Sequence, residues 1–293
     1  MVSEPEVHIY KEIGGCAIRA DVFRPEAKKP TPVLVYIHGG ALIMGGRRWL
    51  RDWQRERYLK AGVAVVSIDY RLAPETKLPE IIEDVKDAVK WVRGEGPKQF
   101  NINPKRLGVA GASAGGYLTL MSGIAVEPRP VCLVSFYGYG DIVGDWYSKP
   151  DPFYCRQKAV PEGLARMAVG TKPLSESLDD SREPFYLYCR QKGVWPKEVM
   201  GRDPVAEREA FKQYCPIQNV SREYPPTLLL HGDKDTDVPY EQSEMMAGAL
   251  RRAGADSELV TIEGGGHSFD ADEGNADARQ AMEKVISFLR EHI

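Results

Sequence analysis

Leu107-Gly108-Val109-Ala110-Gly111-Ala112-Ser113-Ala114-Gly115-Gly116 is the stretch on which the fold turns. Its first four residues are a short apolar run, as expected of a strand buried on both faces. After Gly116, Tyr117, Leu118, Met121 and Ile124 recur at helical spacing. Between strand and helix lies G-x-S-x-G. In that context the motif is a sharp turn that exposes the serine hydroxyl at a helix N-terminus, which also suits an anion. Glycines flank the serine because a Cβ at either site would clash in so tight a turn. Ser113 is therefore the candidate nucleophile. An ordinary glycine-rich turn is the competing reading, and the neighbouring segments weigh against it.

The same alternation runs outward in both directions. Val33–Ile37, Val63–Ile68, Val131–Phe136, Thr227–Leu230 and the shorter Leu259–Ile262 all read as buried strands. Helical patterns separate them. Ile81, Ile82, Val85, Val89 and Val92 lie between Pro79 and Gly94; Met245, Met246, Ala249 and Leu250 follow Pro239; Met282, Val285, Ile286 and Leu289 close the chain. Val7–Tyr10 and Cys16–Phe23, joined at Gly14-Gly15, predict a leading hairpin at one edge. The pattern is α/β, with a mostly parallel central sheet flanked by helices, and 293 residues suit one domain of this class. From Gly140 to Val220 no buried strand is evident. Residues 140–220 are expected to be an insertion of short helices between two core strands, a cap or lid. It contains a partial echo: Pro152-Phe153-Tyr154 with Cys155-Arg156-Gln157-Lys158, then Pro184-Phe185-Tyr186 with Cys189-Arg190-Gln191-Lys192 after two extra residues. Two copies make no solenoid.

A serine hydroxyl attacks only when a base takes its proton. His8 and His292 sit near the termini. His38 and His231 each end a core strand and precede glycine, which suggests structural hydrogen bonds. His267, in Gly264-Gly265-Gly266-His267-Ser268-Phe269, follows a strand on a flexible loop and is the candidate base. The base needs an orienting carboxylate. His231-Gly232-Asp233-Lys234-Asp235-Thr236-Asp237-Val238-Pro239 offers three. Asp235 is preferred, with Asp233 expected to hold the turn and Asp237 to cap the helix near Pro239. The chain order is then Ser…Asp…His. Oxyanion donors are expected from the backbone of Ala114 and of the glycine-rich His38-Gly39-Gly40-Ala41, with Gly39, Gly40 and Ala41 forming the hole. Leu42, Trp146, Tyr147, Tyr186 and Tyr188 are the candidate substrate-pocket residues. The aromatics of the insertion have the alternative of forming its own small core.

Taken together, His38-Gly39-Gly40, Asp69-Tyr70-Arg71-Leu72-Ala73-Pro74, Gly111–Gly116 and the Asp235 and His267 loops resemble the hormone-sensitive-lipase-like esterases of the α/β-hydrolase fold, from about Val33 onward. The resemblance implies carboxylesterase activity on short acyl chains, no cofactor, and a structural role for Asp69-Tyr70-Arg71. The Asp235 loop with Val238-Pro239 is also similar to acetyl and feruloyl esterases and to prolyl-oligopeptidase-type peptidases. The chain departs from the family at Ala41, Leu42 and Ala112, where a third glycine, an aromatic and an acidic residue are common. The expectation is a serine carboxylesterase for short-chain acyl, aryl or acetyl esters. An amide-cleaving hydrolase (peptidase or arylformamidase) is the alternative, and a non-catalytic receptor on the same fold a remote one.

Bulk properties narrow the partners. Net charge is −3, without the basic footprint of a nucleic-acid binder. Arg47, Arg48, Arg51, Arg55 and Arg57 form a basic run, but Asp52 and Glu56 interleave them, so a solvated helix face is expected. The five cysteines are odd in number and contain no C-x-x-C pair. They read as buried free thiols in a reducing compartment. Met1-Val2-Ser3-Glu4-Pro5-Glu6 shows no signal peptide, so a cytoplasmic location is expected, although the mature form of a secreted protein would read the same. No apolar run reaches membrane-span length. No metal-ligand spacing and no phosphate-loop motif is present. The partners expected are a small-molecule ester and, at most, a second copy of the chain.

Overall fold

Every residue of the run Val33–Ile37 is buried, and the run divides by parity. Val33, Val35 and Ile37 pack with Val66, Val109 and Leu133, whereas Leu34 and Tyr36 pack with Val65, Ala110 and Val134. Successive side chains of a strand leave opposite faces, so this strand lies inside a sheet covered on both sides. The computed structural model describes residues 4–293. The first three residues of the N-terminal stretch read for a signal peptide lie outside the described residues.

Along the chain the elements are β1 (Glu6–Ile13), β2 (Cys16–Phe23), β3 (Thr31–Ile37), α1 (Asp52–Lys60), β4 (Ala64–Ile68), α2 (Leu78–Gln99), β5 (Ile102–Ala112), α3 (Ala114–Ala125) and β6 (Leu133–Phe136). Five short helices follow: α4 (Asp145–Ser148), α5 (Glu162–Met167), α6 (Glu183–Lys192), α7 (Trp195–Met200) and α8 (Arg208–Lys212). The chain then closes with β7 (Thr227–Gly232), α9 (Glu241–Ala253), β8 (Ser257–Ile262) and α10 (Ala276–His292). The eight strands form one sheet in the order β1-β2-β4-β3-β5-β6-β7-β8. The pairs β1–β2 and β2–β4 are antiparallel, and the others are parallel. Tyr58 of α1 and Met282, Val285 and Leu289 of α10 cover one face. Ile81 and Val85 of α2, Leu118 and Met121 of α3 and Met246 of α9 cover the other.

The expected α/β architecture is thus present, with differences at its margins. The leading strand runs from Glu6 rather than Val7 and past Tyr10, because at the sheet edge its outer residues stay solvated. Helix α2 does not stop at Gly94 but continues through Pro97. Pro97 is exposed in the last turn, so water can reach the Arg93 carbonyl that its missing N–H leaves unbonded. The basic run is a solvated face only in part, with Arg48 exposed and Arg51 and Arg57 partly so. Arg47 precedes α1 in a 3-10 turn and is buried, with Nε 2.7 Å from Asp21 Oδ1 and Nη1 2.7 Å from Asp69 Oδ2. Arg55 is buried as well. Four cysteines are buried free thiols, and Cys155 is exposed. No helix among the described residues is long and apolar enough to cross a membrane.

Parallel register brings the carboxyl ends of the central strands to one edge. Ile37 pairs with Gly111, Ala112 with Phe136, and Gly232 with Ile262. The loops that follow β3, β5, β7 and β8 therefore converge there, where open α/β sheets bind ligands. Between β6 and β7 the described residues form helices and turns without a strand, apart from one isolated bridge joining Ser177 to Gly45.

Candidate active site

Ser113 has φ 56° and ψ −119°, a conformation a side-chain-bearing residue seldom adopts. The surroundings enforce it. A Cβ on Gly115 would collide with the Ile37 carbonyl, and one on Gly111 with the Gly115 carbonyl. The Ser113 N–H donates to Phe136 O at 2.9 Å, and the Ser113 carbonyl accepts from Tyr117 N at 3.0 Å. The serine is thus pinned between β6 and the first turn of α3. The Ala114 N–H, at the start of α3, donates to no protein acceptor among the described residues.

The loop after β3 makes a second tight turn, with positive φ at Gly40 (99°), Ala41 (54°) and Leu42 (63°). Ile43 N and Met44 N both donate to Gly40 O, at 2.9 and 3.0 Å. The N–H groups of Gly40 and Ala41 donate to no protein acceptor among the described residues. Tyr70 fixes the turn from below: its ring stacks on His38 at 4.2 Å, and its hydroxyl donates to His38 O at 3.1 Å. Burial pushes the His38 pKa down to about 4, so the ring is neutral and structural. Asp69 accepts from Arg47, and Arg71 binds Asp84 through Nε and Nη2 at 2.7 and 2.8 Å. From the segment between β6 and β7, Trp195 Nε1 donates to Ala41 O at 2.9 Å and Arg182 Nε to Ile43 O at 2.6 Å.

The loop after β7 supplies two carboxylates that face one ring. Asp235 Oδ1 accepts from the Asp237 and Val238 N–H groups at 2.8 and 2.9 Å. Its Oδ2 accepts from His267 Nδ1 at 2.7 Å and lies 3.2 Å from His231 Nε2. Burial raises the Asp235 pKa, but the hydrogen bonds from His231 and His267 outweigh it and hold the carboxyl well below its usual range. Asp233 accepts from Gly264 N at 2.7 Å and ties the two loops together. Asp237 is not a helix cap, because the N-cap of α9 is Tyr240 and no side chain caps that end. Its Oδ1 instead accepts from Tyr154 OH at 2.8 Å, from Arg190 Nη1 at 2.7 Å and from Tyr186 OH. Its Oδ2 lies 3.4 Å from His267 Nε2. Burial pushes the His267 pKa down. The Asp237 charge and the Asp235 hydrogen bond push it up by more, so the pKa is raised.

Ser113, His267, Gly39, Gly40 and Ala41 line one cavity of about 240 Å³. No hydrogen bond joins Ser113 to His267 among the described residues; they meet across this shared space. Of the expected pocket residues, Tyr186 lines the cavity. Leu42 is fully buried beneath the loop. Trp146 stacks on Tyr147 at 3.6 Å, and Tyr147 on Trp195 at 4.0 Å, and these rings join the main core through Tyr139, which stacks on Tyr117 of α3, rather than line the cavity. Tyr188 is buried on α6, away from the cavity. The walls come instead from Met44, Trp49 and Arg51 before α1, Tyr36, Tyr137, Ser268 and Asp237. Sequence reading missed these, although Asp237 and Ser268 adjoin residues it singled out. Tyr137, whose φ of 37° also marks a strained position, presses its ring against His267 at 4.7 Å and donates to buried Asp270 at 2.7 Å.

A family described as alpha/beta hydrolase fold matches residues 34–271. Among characterised relatives, a non-reducing polyketide synthase (ausA) of Aspergillus calidoustus is 29% identical over 97% of this chain, and the chain spans only 14% of that protein's length. Esterase LipC of Mycobacterium tuberculosis is 31% identical over 83% of this chain and 54% of its own length. Among solved structures, a protein of unknown function from Staphylococcus aureus superposes with TM-score 0.79 at 23% identity, covering 94% of this chain and 95% of that one. An esterase of Thermogutta terrifontis, phosphoramylated by tabun, superposes with TM-score 0.71 at 20% identity, covering 99% and 96%. Motifs, sheet topology and family match agree, and the chain belongs to the α/β-hydrolase fold family, in the hormone-sensitive-lipase-like group to which its motifs point.

Proposed function

We propose that this chain is a serine carboxylesterase for short acyl esters. The observation that carries the reading is the convergence on one cavity of a strained Ser113, unbonded backbone donors and a carboxylate-bound His267. In this reading His267 Nε2 takes the Ser113 proton as Oγ attacks the ester carbonyl. Asp235 holds the ring tautomer and stabilises the imidazolium. Ala114, Gly40 and Ala41 donate to the oxyanion, and Gly39 permits the close approach of the loop. His267 returns the proton to the departing alcohol, then activates water to cleave the acyl-enzyme. A cavity of about 240 Å³ is below the usual range for drug-sized ligands, which favours a short acyl group. Residues 140–220 act as a lid on one α/β-hydrolase domain.

The test is an assay against p-nitrophenyl esters from acetate to laurate, with an aryl acetamide and methyl ferulate alongside. The expected result is highest kcat/KM at acetate to butyrate and a loss of about ten-thousandfold or more in Ser113→Ala. Turnover of the amide with every ester inert would assign the site to amide cleavage. Serine-independent turnover would remove Ser113 from the reaction.

A further inference from the structure

His267 has a carboxylate at each ring nitrogen, and one of the two comes with its own support. Asp235 meets Nδ1 at 2.7 Å, and Asp237 Oδ2 stands 3.4 Å from Nε2. The three donors that reach the Asp237 carboxylate, from Tyr154, Tyr186 and Arg190, all go to Oδ1. That leaves Oδ2 directed at the ring. Arg190 is itself fixed: its side chain is fully buried, Nη2 donates to Asp151 at 2.6 Å, and the Tyr154 and Tyr147 rings lie 4.6 and 4.9 Å from it.

We infer that Asp237 is a second positioning carboxylate for His267, aimed by Tyr154, Tyr186 and Arg190, which holds the imidazolium at Nε2 while Asp235 holds it at Nδ1. The inference rests on the reading of His267 as the base for Ser113. Nε2 is the nitrogen that receives the serine proton. The N–H so formed has the leaving oxygen as one acceptor and Asp237 Oδ2 as the other, and the proton returns to the leaving oxygen. Asp237 therefore steadies the proton-bearing ring without consuming the proton. It also favours imidazolium in the resting enzyme, so half the molecules carry a neutral base only at higher pH. Other charged or titratable groups near the ring are Tyr137 at its edge with Asp270, which accepts from it, His231, which shares Asp235 Oδ2, and Tyr36, His38, Tyr186 and Arg51, which line the same cavity. Arg190 offsets part of the Asp237 charge. A carboxylate at this range shifts a partner by about one to three pH units, so the lower end applies here.

The test follows Asp237→Asn and, because Arg190 then keeps Asp151 alone of its two carboxylate partners, Asp237→Asn/Arg190→Gln. Two readouts are followed, with Asp237→Asn compared with wild type and the double variant with Arg190→Gln, which carries the same loss of the arginine charge: the acid limb of kcat/KM for p-nitrophenyl acetate, and the NMR titration of the His267 ring. The expected result is a midpoint about one pH unit lower in both readouts, a tenfold change in protonation. The rate at the alkaline plateau should also be lower. A midpoint unchanged or raised in either folded variant overturns the inference. Should wild type hydrolyse no ester, the NMR titration still decides the role of Asp237, so that failure of the esterase reading is told apart from failure of this one.

Discussion

Residues 152–158 and 184–192 use nearly the same words, Pro-Phe-Tyr and Cys-Arg-Gln-Lys, and meet opposite fates. In the first, Phe153, Cys155, Arg156 and Gln157 are exposed around a single 3-10 turn. In the second, Phe185, Cys189, Arg190 and Gln191 are buried along α6. The two extra residues, Leu187 and Tyr188, account for the difference. They place Cys189 four residues after Phe185 and Arg190 four after Tyr186, so each pair shares a helix face. In the first copy the same pairs are two residues apart and cannot. The tyrosines escape the divergence, since Tyr154 and Tyr186 both reach Asp237. Spacing decides burial here more than residue type does.

The comparison breaks if paired substitutions behave alike. The largest contrast is expected at the arginines. Arg190→Met strips the partner from Asp151 and Asp237, and loss of one member of a buried ion pair costs about 3–5 kcal/mol. Arg156→Met should leave the melting temperature unchanged. Thermal unfolding of the two variants measures this, and equal melting temperatures would refute the burial contrast. Next come the phenylalanines. Phe185→Ala should cost about 3 kcal/mol or more through the cavity it leaves, whereas Phe153 is 41% exposed and its truncation should cost far less. Chemical denaturation at constant m-value reads both. The smallest effect sharpens the comparison without altering stability. Cys155 is exposed, and burial pushes the Cys189 thiol up, out of its reactive range. A thiol reagent should therefore modify Cys155 in the native protein and reach Cys189 only on unfolding, as mass spectrometry of the labelled peptides would report.

The frame of the molecule was legible because its signals are local. Buried parallel strands read as continuous apolar runs, and Val33–Ile37 and Leu107–Ala110 needed no partner to be recognised. The glycines around Ser113 announced a strained turn for the same reason. The cavity walls and the buried ion pairs were not legible. Arg47 looked solvated beside Asp52 and Glu56, because nothing in its neighbourhood says that Asp21 and Asp69 arrive from two other parts of the chain. Asp237 looked like a cap because it stands just before a helix, while its actual donors lie on a segment more than forty residues earlier. Trp146 and Tyr147 looked like pocket aromatics, yet their best partners are each other and Trp195. In each case a polar or aromatic contact from elsewhere in the chain takes part in the decision, and periodicity carries no trace of it.

Trp195 and Arg182 hold the carbonyls of Ala41 and Ile43, the turn whose amides are proposed to meet the oxyanion. This bears on how the segment between β6 and β7 could be exchanged for another. It cannot be treated as a detachable module, because two of its side chains set the shape of a turn that belongs to the sheet. A chimaera carrying a foreign segment would inherit the serine and the histidine intact and still lack the brace for its anion site. Retargeting this scaffold to a new substrate therefore starts from the side chains around the brace, with Trp195 and Arg182 retained.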